Sequence, residues 1–543
     1  MGAMRFNPPW WLVIGLGLFA LSALVGAVIA PQPGPAQALF AQICLAASVG
    51  LGVWALGRRW PLAMAWGLTL GGAWVIPLLT FLMGWGRNTR GGLMAWLLPF
   101  ALAATVEAWA GRGQRSRWQT GLRLGLGGAS TGLILLFLLS SGSRGAVVAL
   151  ILALGVVGAL AVTGGWRWMA VIRTRLPLIA VGVLAAANLA LIYAAGPFSS
   201  SINALDVGGA DMGRLSIWRE TWYLIGEAPW TGFGLASFEG VFSHYARLIQ
   251  VPLFTYAHQL YLGVWVQQGL FGVAGLGVLL GGALGVRATE GPGARATNDP
   301  EDRFVGPSGS RVGGRSDCHW LAMASLASTL SLALHGLVDD SVYGNGGQPF
   351  LFVWAGMAAA LQARRPSVSR SVRPSVPPPV RFAALAAGLV LLLMFGRSLL
   401  ASAWVNAGAV TVARGELADW PRLQAAPEAV LAAAQADFEQ GLAIDPGDRA
   451  GHFRLGLILM ERGAYADAAR HLTLAYDSAS DSRATRKALG LALTWSGDIA
   501  RAVELLTPLP EARTELEAYA FYWQSTGQST LSQHASHVAD RLP

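Results

Sequence analysis

Charge is the scarcest commodity in this sequence. Only 13% of the 543 residues are charged, against about 25% in ordinary soluble domains. The C-terminal part carries charge at normal density, so the first four hundred or so residues are unusually apolar. Lysine is almost missing: Lys487 stands alone and arginine supplies the rest of a net charge of +9. Two cysteines, Cys44 and Cys318, have no repeated spacing and support neither a disulfide framework nor a zinc site. No GxxxxGK[ST] loop, HExxH, CxxC or Asp-x-Asp pair occurs. Those absences exclude a P-loop nucleotide site and the familiar motif-borne metal centres. Carboxylates inside the apolar runs are nearly lacking; Glu107 lies near the end of one, and Asp339 and Asp340 near the end of another. Ion-coupled transporters keep such groups near the midplane, so their scarcity counts against transport.

What is abundant is apolar sequence, at 54% of the chain. Runs of about twenty apolar residues read as membrane spans. They lie near 10–30, 37–57, 61–83, 92–110, 121–140, 145–163, 176–195, 259–286, 319–338, 349–363 and 382–404, which is about eleven spans. The first lacks a small-x-small cleavage site and reads as a retained span rather than a signal peptide. Arginine clusters fall on alternate loops: Arg58 and Arg59; Arg112, Arg115 and Arg117; Arg167, Arg173 and Arg175; then the polar loop 287–318 and the Arg/Pro/Ser linker 364–381. Cytoplasmic loops are enriched in arginine, so these share the inner side. Topology thus explains the basic charge without nucleic acid. The N-terminus is then inside, and the loop 196–257 and everything beyond about residue 405 are outside.

Three arginines break this pattern. Arg87 and Arg90 in one outer turn, and Arg144 in another, sit where lipid headgroups or an anionic ligand would explain them. Three outer segments stand out. The turn SGSRG, 141–145, places Arg144 between two spans. The stretch GRLSIWRETWYLIGEAPWTGFG, 213–234, has Leu215, Trp218, Trp222 and Ile225 at helical spacing, with Arg214 at its start and Arg219 one turn on. That is an amphipathic helix lying on the membrane or on the bundle, its Trp stripe there for packing. The stretch YAHQLYLGVWVQQGLFGVAG, 256–275, puts His258 at the start of a long span. A helix N-terminus disfavours the imidazolium, and a neutral imidazole by a wet cavity suits general-base work. Capping or packing is the plain alternative for His258, as for His244 and His335.

From about 415 a period of 34 residues appears: Leu455, Gly456, Gly463, Ala468 and Leu472 recur as Leu489, Gly490, Gly497, Ala502 and Leu506. A partial earlier copy supplies Ala434, Phe438 and Pro446. The pattern is that of tetratricopeptide repeats, helix pairs that stack into a groove for partners or form a spacer. The expected architecture is all-α: a transmembrane bundle over 1–410, then an outer helical-repeat domain over 415–543.

The SxSRG turn, the GR…W helix followed by P..G.G, and H.LYL…QQGL.G resemble the O-antigen ligase/polymerase superfamily over about 121–363. Its members include lipopolysaccharide O-antigen ligases, Wzy-type polymerases and protein O-glycosyltransferases. The resemblance implies a GT-C-like membrane glycosyltransferase in the bacterial inner membrane. It implies an undecaprenyl-diphosphate-linked glycan donor and no nucleotide, metal or other cofactor. Arg144 and Arg214, with Arg219, then match the donor-diphosphate arginines, and His258 the catalytic histidine; Arg87, Arg90, His335 and Asp339 are auxiliary candidates. A single displacement would invert the anomeric carbon. The acceptor is a glycan, lipid or protein, with a further protein partner at the repeats. This chain departs from the family in its short loop between Arg214 and His258 and in an odd span count. A transporter, or a membrane anchor that presents the repeats, is the competing class; an anchor has no use for outer arginines.

Overall fold

The computed structural model describes residues 8–82, 84–114, 116–162, 213–249, 251–252, 254–285, 314–340, 342–343, 347–363, 378–422 and 425–543. All regular structure among them is helical. The expected span at 176–195, with Arg115, Arg167, Arg173 and Arg175, lies outside the described residues, as do 287–313 and 364–377 of the two polar loops.

Among the described residues, seven helices are long and apolar enough to cross a membrane: Trp10–Ile29, Pro33–Gly57, Pro61–Leu79, Arg87–Gly113, Arg117–Ser140, Arg144–Ala161 and Leu260–Leu284. Apolar sequence with a single acid, Glu107 near the end of the fourth, makes these helices, since in lipid a helix satisfies its own backbone. Pro33 and Pro61 open two of them, where a missing N–H costs nothing. Outer helices leave Leu21, Val28, Leu136 and Ile151 largely exposed. Such apolar faces are stable only against lipid or another protein.

About eleven spans are not reached among the described residues. The run at 349–363 forms a helix of only 11 residues, Val353–Ala363. That is roughly 16 Å long, about half of a ~30 Å hydrocarbon core. It is buried in the bundle, where Gly356 meets Gly50 so closely that a Cβ would stand 2.1 Å from the Gly50 carbonyl oxygen. The first helix packs along Leu260–Leu284 by the same device. A Cβ at Gly275 would lie 2.7 Å from the Phe19 nitrogen. Small residues at crossings let backbones approach where no hydrophobic effect drives them together.

The helix Leu260–Leu284 is broken at Gly269, whose φ is +67°. The turn from Pro229 to Gly234 fits into the break. Leu270 N donates to Pro229 O at 2.9 Å, and Phe233 N donates to Val266 O at 2.7 Å. Leu235 N donates to Gly26 O at 2.9 Å, tying the turn to the first helix. The two glutamines before the break hold its flanks. Gln267 accepts from Ala236 N at 2.7 Å, while Gln268 accepts from Ser22 and donates to Tyr343 Oη, each at 2.8 Å.

The last long helix, Pro378–Glu416, runs 39 residues, roughly 58 Å, which exceeds any bilayer core. Its final turns leave the bundle and pack on Glu428–Ile444; a Cβ at Gly408 would stand 2.7 Å from the Phe438 ring. Arg397, near the end of the last apolar run, is exposed and donates to Ile444 O at 2.9 Å. Beyond it, helices Arg449–Glu461, Tyr465–Asp477, Arg483–Ser496 and Ile499–Leu506 pack in succession, followed by Ala512–Ser525 and Ser529–Ala539. Positions 34 apart make the same contact: a Cβ on Gly456 would meet Leu472 Cγ at 2.6 Å, and one on Gly490 would meet Leu506 Cγ at 2.6 Å.

This C-terminal region docks on the helix Arg214–Glu227. Glu227 pairs with Arg454 at 2.7 Å, both side chains buried. Glu220 accepts from Arg483 N at 2.9 Å and from Ser482 Oγ at 3.3 Å, capping the helix Arg483–Ser496. Burial pushes the Glu220 carboxyl up despite those donors. His244 and Tyr245 both bond Glu416. Against the cost of burial, those two bonds and the Arg454 charge hold Glu416 below the usual carboxylate range. The loop and the C-terminal helices therefore lie on one side of the bundle.

Candidate functional site

The helix Gly314–His335 ends in a tight turn, with Gly336 N donating to Leu332 O at 2.8 Å and Asp339 N to His335 O at 2.9 Å. Four other segments converge on this turn. Asn88, second in its helix, donates to Asp339 Oδ2 at 2.6 Å. Gly145, second in the helix that starts at Arg144, lies against Val338 and His335; a Cβ there would come within 2.9 and 3.5 Å of them. Arg214 Nη1 donates to Val338 O at 2.8 Å. Leu260 N, just after His258, donates to Gly336 O at 2.9 Å. Gly91 in turn packs on Ser141 and Ser143, so the turn carrying Arg144 lies against the helix carrying Arg90.

Helices beginning at Arg87, Arg144, Arg214 and Leu260 thus aim their N-termini at one place. Each such end carries roughly half a positive charge. Arginines stand at or beside three of the four. Arg87, Arg90 and Arg144 are exposed, and Arg214 is half-buried with its charge acting on His335 and Asp340. His335, Asp339 and Asp340 form the buried floor, at 5%, 2% and 1% exposure. Asp339 Oδ2 is taken up by Asn88 on this floor, and the exposed arginines belong to the helices around it. The arrangement is suited to an anion with several oxygens.

His258 is half-buried at φ +52°, a left-handed backbone that a side chain adopts only when its surroundings impose it. The helix proper starts at Leu260 with Gln259 as its cap, accepting from Leu262 N at 2.7 Å. His258 therefore projects just ahead of the helix, its ring edge-on to Tyr256 at 4.5 Å. Tyr256 also lines a cleft of about 220 Å³ between Pro31–Gln32, the segment 236–240, Thr255, Gln348 and Trp420.

Of the sequence candidates, Arg144, Arg214, His258, Arg87, Arg90, His335 and Asp339 all belong to segments around the 335–340 turn. Arg219 does not share that setting. Five positions after Arg214, it is rotated by roughly 140° on the helix. It lies 4.0 Å from Glu220, on the side that meets the C-terminal helices. His244 is likewise an interface residue, bonded to Glu416 at 3.0 Å. Sequence reasoning missed Asn88 and Asp340, for which only position next to Arg87 and Asp339 was a signal. It also missed that P..G.G and QQG are two halves of one joint.

Residues 129–277 match the family model described as O-antigen ligase. The matched stretch contains Arg144, Arg214, His258 and the Gly269 break, but not the helix from Arg87 or the 335–340 turn. It supports the O-antigen ligase superfamily, and with the seven apolar helices it supports a multi-pass membrane protein of glycosyltransferase type. Neither the curated proteins nor the solved structures provide a match to the chain.

Proposed function

We propose that the chain is an inner-membrane glycosyltransferase that moves a glycan from an undecaprenyl-diphosphate donor to an acceptor outside the cytoplasm. The observation that carries this reading is the convergence of four helix N-termini and their arginines on the 335–340 turn, beside His258. Arg144 and Arg214 hold the donor diphosphate, with Arg87 and Arg90 at the rim; Arg219 takes a lesser part because its helix face is turned away. Guanidinium forks bind such oxygens in pairs, which an ammonium cannot copy.

In the reaction, an acceptor hydroxyl attacks the anomeric carbon while His258 takes its proton. The new C–O bond forms as the bond to the diphosphate breaks. Undecaprenyl diphosphate leaves with the electron pair, and the anomeric configuration inverts. The arginines stabilise the charge that grows on the leaving group, the task a divalent cation performs in other transferases. His335, Asp339 and Asp340 position the arginines. The helices after about 415 are a tetratricopeptide-type array on the outer side that recruits an acceptor or assembly partner. The test is glycan transfer by purified Arg144→Lys and Arg144→Ala. Both should lose activity to a similar degree; near-normal transfer by the Lys variant would contradict paired diphosphate binding.

A further inference from the structure

The cleft beside Tyr256 is chemically unlike the arginine-rich face. Among the described residues, no basic side chain lines it, and its one ionisable acid is Glu239. A diphosphate would meet a carboxylate there with no cation to offset it. The remaining polar side chains carry amides and hydroxyls, among them Gln32, Thr255, Tyr256, Tyr343 and Gln348, with Ser237 and Gln267 beside them. Gln348 is 5% exposed; its Nε2 donates to Tyr343 O at 2.6 Å, while its buried Oε1 has no hydrogen-bond partner among the described residues. Such a buried acceptor is costly unless something donates to it. Trp420 forms the apolar wall. It is held by Gln32 Nε2 donating to its carbonyl at 2.6 Å and by its own Nε1 donating to Glu239 Oε1 at 3.2 Å. Aromatic faces flanked by amides and one carboxylate suit a ring that is apolar on its C–H face and hydroxylated at its edge. At about 220 Å³ the space is below the roughly 300–1,000 Å³ of drug-sized sites, so one ring is the right scale.

We propose that this cleft is the acceptor subsite and binds a single neutral or amino sugar ring. This rests on the transferase reading above. Tyr256 lines the cleft and its ring meets the His258 ring edge-on at 4.5 Å, so the cleft and the base share one side chain. The cleft wall includes Leu417 and Trp420, which follow the long helix into the C-terminal region. Acceptor choice thus depends on that region as well as on the bundle.

The test uses the purified full chain in detergent. Methyl glycosides of glucose, N-acetylglucosamine and glucosamine are titrated, with inorganic pyrophosphate as counter-probe. Saturation-transfer NMR and tryptophan fluorescence read binding. At least one glycoside should saturate. Glu239→Gln should weaken it about tenfold, the scale of one charge-assisted hydrogen bond. Thr255→Trp, which fills the cleft from an exposed position, should abolish it. Arg144→Ala and pyrophosphate should leave it unchanged. No saturation by any glycoside, unaltered binding in Thr255→Trp, or displacement by pyrophosphate would overturn the proposal. Binding without any transfer counts against the transferase reading alone; transfer without binding at this cleft counts against the subsite alone.

Discussion

Replacing Glu227 by Ala should loosen the C-terminal helices from the bundle. Glu227 and Arg454 are 2% and 1% exposed at their side chains and 2.7 Å apart. Arg454 also lies over the Tyr245 ring at 3.5 Å. Its Nε donates to Glu227, and its charge also interacts with Tyr245 and Glu416. Removing one member of a buried pair costs about 3–5 kcal/mol, because the other charge stays desolvated. The Glu416 charge and the Tyr245 face retain part of the compensation, which favours the lower end. About 3 kcal/mol raises the undocked population more than a hundredfold. A cysteine at Ala484, 5% exposed where Glu220 caps its helix, reports that population through its rate of thiol labelling once Cys44 and Cys318 are replaced by Ser. Glu227→Ala should label on the order of a hundredfold faster than the parent. Glu227→Gln combined with Arg454→Met, which removes both charges, should recover most of the protection. A rise of less than about fivefold, near 1 kcal/mol, would refute the view that this pair holds the interface.

Gly269→Ala should be among the most damaging small substitutions. The residue needs φ +67°, and a Cβ would stand 2.1 Å from Trp230 O. Strain of about 1–3 kcal/mol for the backbone alone should lower the melting temperature in detergent and displace the 229–234 turn; an unshifted melt would show that the break is dispensable. The same Ala484 cysteine should give a labelling rate with a minimum in pH once it is divided by the rate of a fully exposed cysteine, which removes the thiolate's own pH dependence. Burial raises the Glu220 carboxyl above its ordinary 4.5, so protonation favours the docked state; docking tightens as pH falls through that raised value, and the gain is complete below 4.5. Glu416 is held below 4.5, so its contribution is complete above 4.5 and is lost as pH falls through its lowered value. Glu220→Gln should flatten the first limb and keep the second; a monotonic profile in the parent would contradict the assignment.

Seven apolar helices among the described residues were legible because the signal for each is local. Apolar runs mark helices by length alone, and Arg144, Arg214 and His258 each sit in a short motif. The 335–340 turn was not legible, since its role comes from five segments far apart in sequence and no residue in it forms a motif. Glu220 and Glu227 fell on the polar face of an amphipathic helix, which reads as a solvated face. The C-terminal helices bury that face, and Trp218 and Trp222 pack between them and the span at Trp265. Arg219 was grouped with Arg214 because one turn of helix looks like one face; five residues do not return to it. The boundary near 410–415 has no break because the last apolar helix itself becomes the first helix of the C-terminal stack.

The most direct measurement is single-turnover release of undecaprenyl diphosphate from a lipid-linked glycan by the purified chain, comparing the parent with His258→Ala. Donor binding is followed in parallel by co-purification of the labelled lipid. If the arginines hold the diphosphate and His258 takes the acceptor proton, the variant should bind donor as the parent does while release and transfer fall by about 10²–10⁴-fold. Transfer at the parent rate by His258→Ala, or loss of donor binding in that variant with the fold intact, would contradict the division of labour between the arginine face and the histidine.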